Sequence, residues 1–366
     1  MKNKKHGPSF YYANDKNIFD ALNEHKVDAE TVAGLFEKRN TLVSSKDSRE
    51  SLARYFSSLP HDYFDHKDIA NCLGVVSRRE RVTSLDLVVA IDAKSDHLDQ
   101  AIVEATRALQ EDGNVVQTTR SAETVTLHVQ YIKIDYGRSE FNQIQTKDGS
   151  IEFHKTPQGY TIRSTQNEYM NNVRDGIVEN ISRASSSGAE RREVSLLAWP
   201  DPNARSNFFF DLFTGIPGYD HRDVTDIYVY KPTENTDALE IFEDSDSHVI
   251  KVSLKGTGVT RSAFLSDLAG QGYYTFRVGW KSQDKGAQGN VYAIEAVFAD
   301  PEKCIGFSYI LLGVHQNNNG TIQKQRRAPM KGEISEVSRA VEMRARELME
   351  ELRSGFDIGT SDEGEE

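Results

Sequence analysis

The stretch SLDLVVAIDAKSD, Ser84 to Asp96, decides how the chain is read. Leu85, Leu87, Val89 and Ile91 fall on every second position, the period of a strand with one buried face. Asp96 is placed to cap a following helix, with Asp99 in its first turn where a negative charge is favoured. The helix itself, HLDQAIVEATRALQED, puts Leu98, Ile102, Ala105 and Leu109 on one face. Strand leads directly into helix.

Upstream of this point the pattern is helical. DAETVAGLFEKR places Val32, Leu35 and Phe36 on one stripe, and SRESLARYFSSL does the same with Leu52, Tyr55, Phe56 and Leu59 before Pro60. DHKDIANCLG reads as a third short helix with Gly74 just past its end. A module of this kind resembles the pieces of helix-turn-helix DNA readers, but the link PHDYFD is long and only Lys67 offers an exposed base. A helical cap or docking module is the simpler expectation.

Downstream the pattern turns to strands. Gly113-Asn114 ends the helix, ETVTLHVQYIKID alternates Val125, Leu127 and Val129 with polar residues, and KDGSIEFHKTPQGYTIRS suggests a hairpin with turns at Asp148-Gly149 and Gln158-Gly159. A helix follows in NEYMNNVRDGIVENISRA. SSSGAERRE, residues 185–193, has the composition of a linker. Beyond it come VSLLAW, DIYVYKP, HVIKVSLKG, YYTFRVGW, VYAIEAVF and GFSYILLGV, interrupted by one short helix, RSAFLSDLAG. Consecutive strands with few helices between them predict antiparallel sheets.

The expected fold class is therefore α+β: a helical module at 1–80, an α+β domain at 81–184, a β-rich domain at 193–322, a helix at 332–354 and a disordered acidic tail at 355–366. The final helix sets Ile334, Val337, Val341, Leu348 and Leu352 at heptad-like spacing, which suits either the protein's own sheet or a partner. On the partner reading, deletion of residues 333–366 leaves the β domains folded.

Composition narrows the function classes. A chain of 366 residues at 37% hydrophobic has no apolar run near the ~18 residues that span a bilayer, so no membrane association is expected. Cys72 and Cys304 are far apart and lack C-x-x-C partners, which fits thiols in a reducing cytoplasm; the sequons at Asn180 and Asn319 are then chance matches. The net charge of −12 argues against a nucleic-acid footprint over the whole surface. Acids concentrate in DALEIFEDSD and in the last ten residues, bases in MKNKK, RRER and KQRRAPMK.

Candidate chemistry is sparse. Asp92-x-Lys94 is the strand-end pair of PD-(D/E)xK-type nucleases, with Asp92 as metal ligand and Lys94 beside the nucleophile. The reading needs a second acid. Asp86 shares the face of Asp92, but six residues of strand span about 20 Å, too far for one ion; Glu80 serves only if its segment folds back. In SLKGTGVTRSAF, Gly256 and Gly258 precede a helix that Thr260 can cap, with Lys255 and Arg261 alongside, a pattern suited to anions. GYDHRDVTD gathers Asp220, His221, Asp223 and Asp226 without a recognisable metal spacing. H-E-x-x-H, G-x-S-x-G and the P-loop order are absent, and no cofactor is expected.

The leading expectation is a non-catalytic intracellular binding or assembly subunit of a multi-protein system, of the kind used in prokaryotic DNA handling or antiviral defence. Its partner is a protein or a second copy, met through the C-terminal helix. Nucleic-acid backbone, if bound, is expected to meet Lys251, Lys255 and Arg261, joined by Lys324, Arg326 and Arg327. The alternative is the metal-dependent nuclease using Asp92 and Lys94.

Overall fold

The computed structural model describes residues 14–23, 27–62, 64–66, 68–69, 80–89, 97–121, 123–134, 141, 144–185, 188–232, 251–256, 263–286, 289–318 and 320–360. The fold is α+β, with mostly antiparallel strands. Two compact units form, one from residues 1–79 and 96–151, the other from 80–95 and 152–366.

The first unit opens with α1 (Asp15–Leu22), α2 (Ala29–Lys38) and α3 (Arg49–Ser57), each started by a side-chain cap from Asn14, Asp28 and Ser48. Their apolar stripes close a small core of Ile18, Leu22, Val32, Leu35, Phe36, Leu52 and Phe56. Arg39 ties this module together. It bonds both Asp65 oxygens at 3.2 and 2.5 Å and the Pro60 carbonyl at 2.8 Å, and lies over the Phe56 ring. Of the predicted third helix, Asp65–His66 and Asp68–Ile69 are helical; Lys67, Cys72 and Gly74 lie outside the described residues.

The chain then runs through β1 (Val82–Val89), which belongs to the second unit, and returns as α4 (His97–Glu111). Gly113, at φ 88°, ends α4 as expected. β2 (Val115–Arg120) and β3 (Thr124–Ile134) follow as an antiparallel pair, and Leu127, Val129 and Tyr131 are buried on the predicted face of β3. β4 (Ile144–Thr156) is continuous, so Asp148-Gly149 is not a turn. Asp148 sits within the strand and accepts a bond from Gln130 at 3.0 Å.

The second unit is organised around β1. Along Val82–Val88 it pairs with β5 (Gly159–Thr165). Its other edge is shared: Val82 pairs with β11 (Ile305–His315), and Leu85–Val89 pair with β6 (Ala189–Glu193). The turn into β5 requires glycine. Gly159 has φ 144°, and a Cβ there would lie 2.0 Å from the Leu87 carbonyl oxygen. α5 (Glu168–Ala184) then lies against β5.

Because β1 joins β5 to β11, residues 81–184 and 193–322 do not form the two successive domains expected. The end of the presumed linker, Ala189–Glu193, is β6, a short strand whose Glu-Arg-Arg-Glu run looks like a solvated loop in sequence. The predicted strand VSLLAW is irregular instead; its Leu196 amide donates to the Cys304 carbonyl at 3.0 Å and its side chain is buried.

The remaining order is α6 (Pro202–Thr214), β7 (Tyr219–Tyr230), β8 (Lys251–Lys255), α7 (Ala263–Gly270), β9 (Tyr274–Asp284), β10 (Val291–Asp300), β11 and α8 (Lys331–Thr360). From β1 the strands run β11, β10, β9, β7, β8. α6 escaped the periodicity reading because its aromatic run is nearly uniform; the signal was Asp201-Pro202, an N-cap followed by a proline in the first turn. Phe208, Phe209, Leu212 and Phe213 of α6 join Ile227, Val278, Trp280, Ala296 and Phe298 in one core.

α8 packs on that same core. Val337, Val341, Ala345, Leu348 and Met349 are all buried in it, so the heptad-like seam is occupied by the protein's own sheet. Among the described residues no helix is long and apolar enough to cross a membrane.

A buried ion pair fixes the register of α8. Arg163 of β5 donates Nε and Nη2 to the two Glu342 oxygens at 2.8 and 2.9 Å, and Nη1 to Glu152 at 3.1 Å. Tyr309 of β11 also donates to Glu342. Burial opposes the Arg163 charge, but the bonds and charge of Glu342 outweigh it and hold its pKa above the ordinary value. Burial, reinforced by the Glu342 charge, raises that of Tyr309.

Replacing Glu342 by Ala should cost about 3–5 kcal/mol in denaturant unfolding, because Arg163 is left charged and buried. Joint replacement Arg163→Met with Glu342→Leu should recover most of the loss. Removal of residues 333–366 should likewise unfold the second unit, contrary to the expectation from sequence. Circular dichroism measures all three.

Acid should weaken the same network. The hydrogen bond from His154, and then the charge of Arg163, lower the Glu152 carboxyl from its ordinary 4.5. The ionised form therefore contributes stability above that value, and the contribution is lost as pH falls through the lowered pKa. The melting temperature of the protein should drop more steeply between about pH 5 and pH 3 than that of Glu152→Gln.

Candidate functional site

Asp92 and Lys94 lie outside the described residues, as do Ile91 and Asp96. Asp86, the acid on the same predicted face, is described and engaged. Arg346 of α8 approaches one of its oxygens at 2.8 Å and the Thr161 hydroxyl donates to the other at 2.6 Å. Asp86 thus belongs to the line of charges that anchors α8, with Arg346 also 3.8 Å from Glu342. The groove around it, about 330 Å³, is lined by Tyr160, Arg192, Glu193, Met349, Glu350 and Arg353 among others. Acids and bases balance there, so it carries no net preference for an ion of either sign.

The acid-rich GYDHRDVTD does not form a loop. It enters β7, where Asp220 pairs with Lys285 at 3.2 Å and His221 stacks obliquely on Phe213. Burial lowers the His221 pKa. Among the described residues no group of three or more His, Cys, Asp or Glu side chains could hold a metal ion. Cys304 is buried, which pushes its thiol up to about 11.

Five of the six basic residues named from sequence are described, and they separate into two places. Lys251 and Lys255 stand on β8 at the far end of the strand order, while Arg327 pairs by its backbone with Val314 of β11. Four strand spacings, about 19 Å, lie between β8 and β11. Arg327 is committed to Glu333, with bonds of 2.7 and 2.5 Å; Lys324 and Arg326 are exposed beside it. Arg261 lies outside the described residues, as do Gly258 and Thr260.

Around β8 the structure adds residues that the sequence reading missed. In the register of β8, β7 and β9, Lys255 is opposite Asp226, and Tyr228 lies between Ser253 and Arg277. Asp226 and Tyr228 alternate with Ile227, which faces the core, so they occupy the other side of the sheet. Arg277 lies over the Tyr228 ring at 4.3 Å, with Lys255 5.8 Å from the same ring. Lys251 is 5.8 Å from the Phe276 ring and 5.9 Å from that of Tyr230. Beyond Arg277, Glu295 of β10 binds both Arg277, at 2.6 Å, and Arg81.

The result is a face with four cations and two nearby carboxylates, set among aromatic rings. Its signal in the sequence was the pair Asp226 and Tyr228, opposite in phase to Ile227 and Val229; Tyr230 is buried in the core with those two. Arg277 and Arg81 carried no signal, because only strand pairing brings them to Glu295.

No protein-family model matches the chain, and no curated protein matches it.

The role of Asp86 separates structure from chemistry. Asp86→Asn should lower unfolding free energy by about 1–2 kcal/mol through loss of the charged contact with Arg346. Incubation of both forms with DNA or RNA in Mg²⁺ or Mn²⁺ should give no difference in nucleic-acid length. Cleavage by the parent that the variant lacks would restore Asp86 to a catalytic role.

Proposed function

We propose that the protein is a non-catalytic binding subunit that holds nucleic acid by its phosphate backbone on the face of β7, β8 and β9. One observation carries this reading: among the described residues, Lys251, Lys255, Arg277 and Arg81 gather on one face, where the carboxylates in contact with them are Asp226 and Glu295. Phosphate binding requires fixed positive charge, and a net-positive patch on a chain of charge −12 confines a polyanion to that patch. Lys251 and Lys255 are the residues expected from sequence. Arg277 and Arg81 replace the distant Lys324, Arg326 and Arg327 as their neighbours.

The assembly half of the reading is narrower than the sequence suggested. With the α8 seam in the core, a protein partner or second copy meets other surfaces of the molecule.

Anisotropy titration of a labelled 20-nucleotide DNA or RNA tests the proposal. Binding should weaken steeply from about 50 to 200 mM salt, as neutralised phosphates release counterions. Lys251→Glu with Lys255→Glu should reduce affinity at least about tenfold and lower the salt slope by about 1.5. Absence of binding at low salt, or an affinity untouched in the folded double variant, overturns the reading.

A further inference from the structure

Charge alone would serve any nucleic acid, but this face also offers rings. We infer that its ligand is single-stranded, with bases stacked on Tyr228 and Phe276 while Lys251, Lys255 and Arg277 meet the adjoining phosphates. The inference rests on the nucleic-acid reading above and names its substrate class.

Three features point this way. First, Tyr228 and Phe276 are both half-buried, fixed in a sheet rather than on a loop, and therefore pre-set as platforms. Second, their rings meet edge to face, with centroids 6.4 Å apart and planes at 66°, so bases stacked on the two cannot lie parallel as they do in a duplex. Consecutive bases stacked in a duplex cannot use both rings; an extended single strand can spread to match them. Third, each ring has a cation within 6 Å, so a base on the ring brings its own phosphate within reach of a lysine or arginine. Arg277 covers part of Tyr228 with a planar guanidinium, a group that itself stacks on bases.

A duplex would use only the charges. Its bases already stack on one another, and the rings would gain nothing from it. The competing explanation is that Lys251 and Lys255 keep a terminal strand soluble while the rings merely pack beneath them. That arrangement predicts no role for the rings in binding.

The experiment compares a 20-nucleotide single strand with the duplex of the same sequence, using the full chain and the variants Tyr228→Ala and Tyr228→Phe. The single strand should bind about tenfold more tightly than the duplex. Tyr228→Ala should remove about tenfold of single-strand affinity and leave duplex affinity unchanged, and Tyr228→Phe should bind like the parent. If Tyr228→Ala fails to fold, irradiation of the parent with a 5-iodouracil-substituted strand replaces it: attachment should fall on Tyr228 or Phe276. Equal binding of both forms, unchanged affinity in Tyr228→Ala, or attachment elsewhere overturns the inference. Each of these leaves the backbone reading standing if Lys251→Glu with Lys255→Glu still reduces affinity at least about tenfold. Failure of both nucleic acids to bind overturns the two together.

Discussion

The Arg163–Glu342 pair is the contact on which the second unit depends. A bidentate guanidinium–carboxylate bond, buried and shared with Tyr309 and Glu152, joins β5, β11, β4 and α8 at one point. Such a pair adds little net stability over well-packed apolar groups, since two charges must leave water. What it does impose is register. Only one placement of α8 brings Glu342 to Arg163 and Arg346 to Asp86 together, and any other leaves a charge buried alone. The apolar seam of α8 supplies the burial and the ion pairs select its position.

β1 has a corresponding role among the strands. One edge is used by β5 along most of its length, and the other is divided between β11 and β6. The two faces of β1 serve different ends: Leu85, Leu87 and Val89 are buried apolar residues, while Asp86 meets Arg346. A carboxylate at Asp86 on a central strand thus anchors a charged helix.

The polar groups on the opposite side of the sheet are arranged otherwise. Glu295 is buried and divides itself between two arginines, so it restrains Arg277 and Arg81 without cancelling them. Lys251 and Lys255 lie toward the margin, where a strand end leaves them exposed. Positive charge and aromatic surface are thus held on regular structure with fixed spacing, in contrast to Lys324 and Arg326, which are exposed ahead of α8. Position on a sheet is what distinguishes a surface able to select a ligand's shape from one that only attracts its charge.

Local pattern determined much of this protein. The caps at Asp28 and Ser48, the alternation of Leu127 and Val129, the Gly113 stop, the Gly159 turn and the buried stripe of the last helix all follow from interactions between residues near in sequence. The α+β class follows from them. Tertiary structure decided whatever depends on partners far away in the chain. Strand pairing turned the end of the expected linker into β6, joined β1 to β11 across more than two hundred residues, and placed Arg81 and Arg277 on one carboxylate. It also committed the α8 seam to the core and Asp86 to Arg346. Periodicity records which face of an element is apolar; it does not record what covers that face, because the covering residues are chosen by pairing and register in three dimensions.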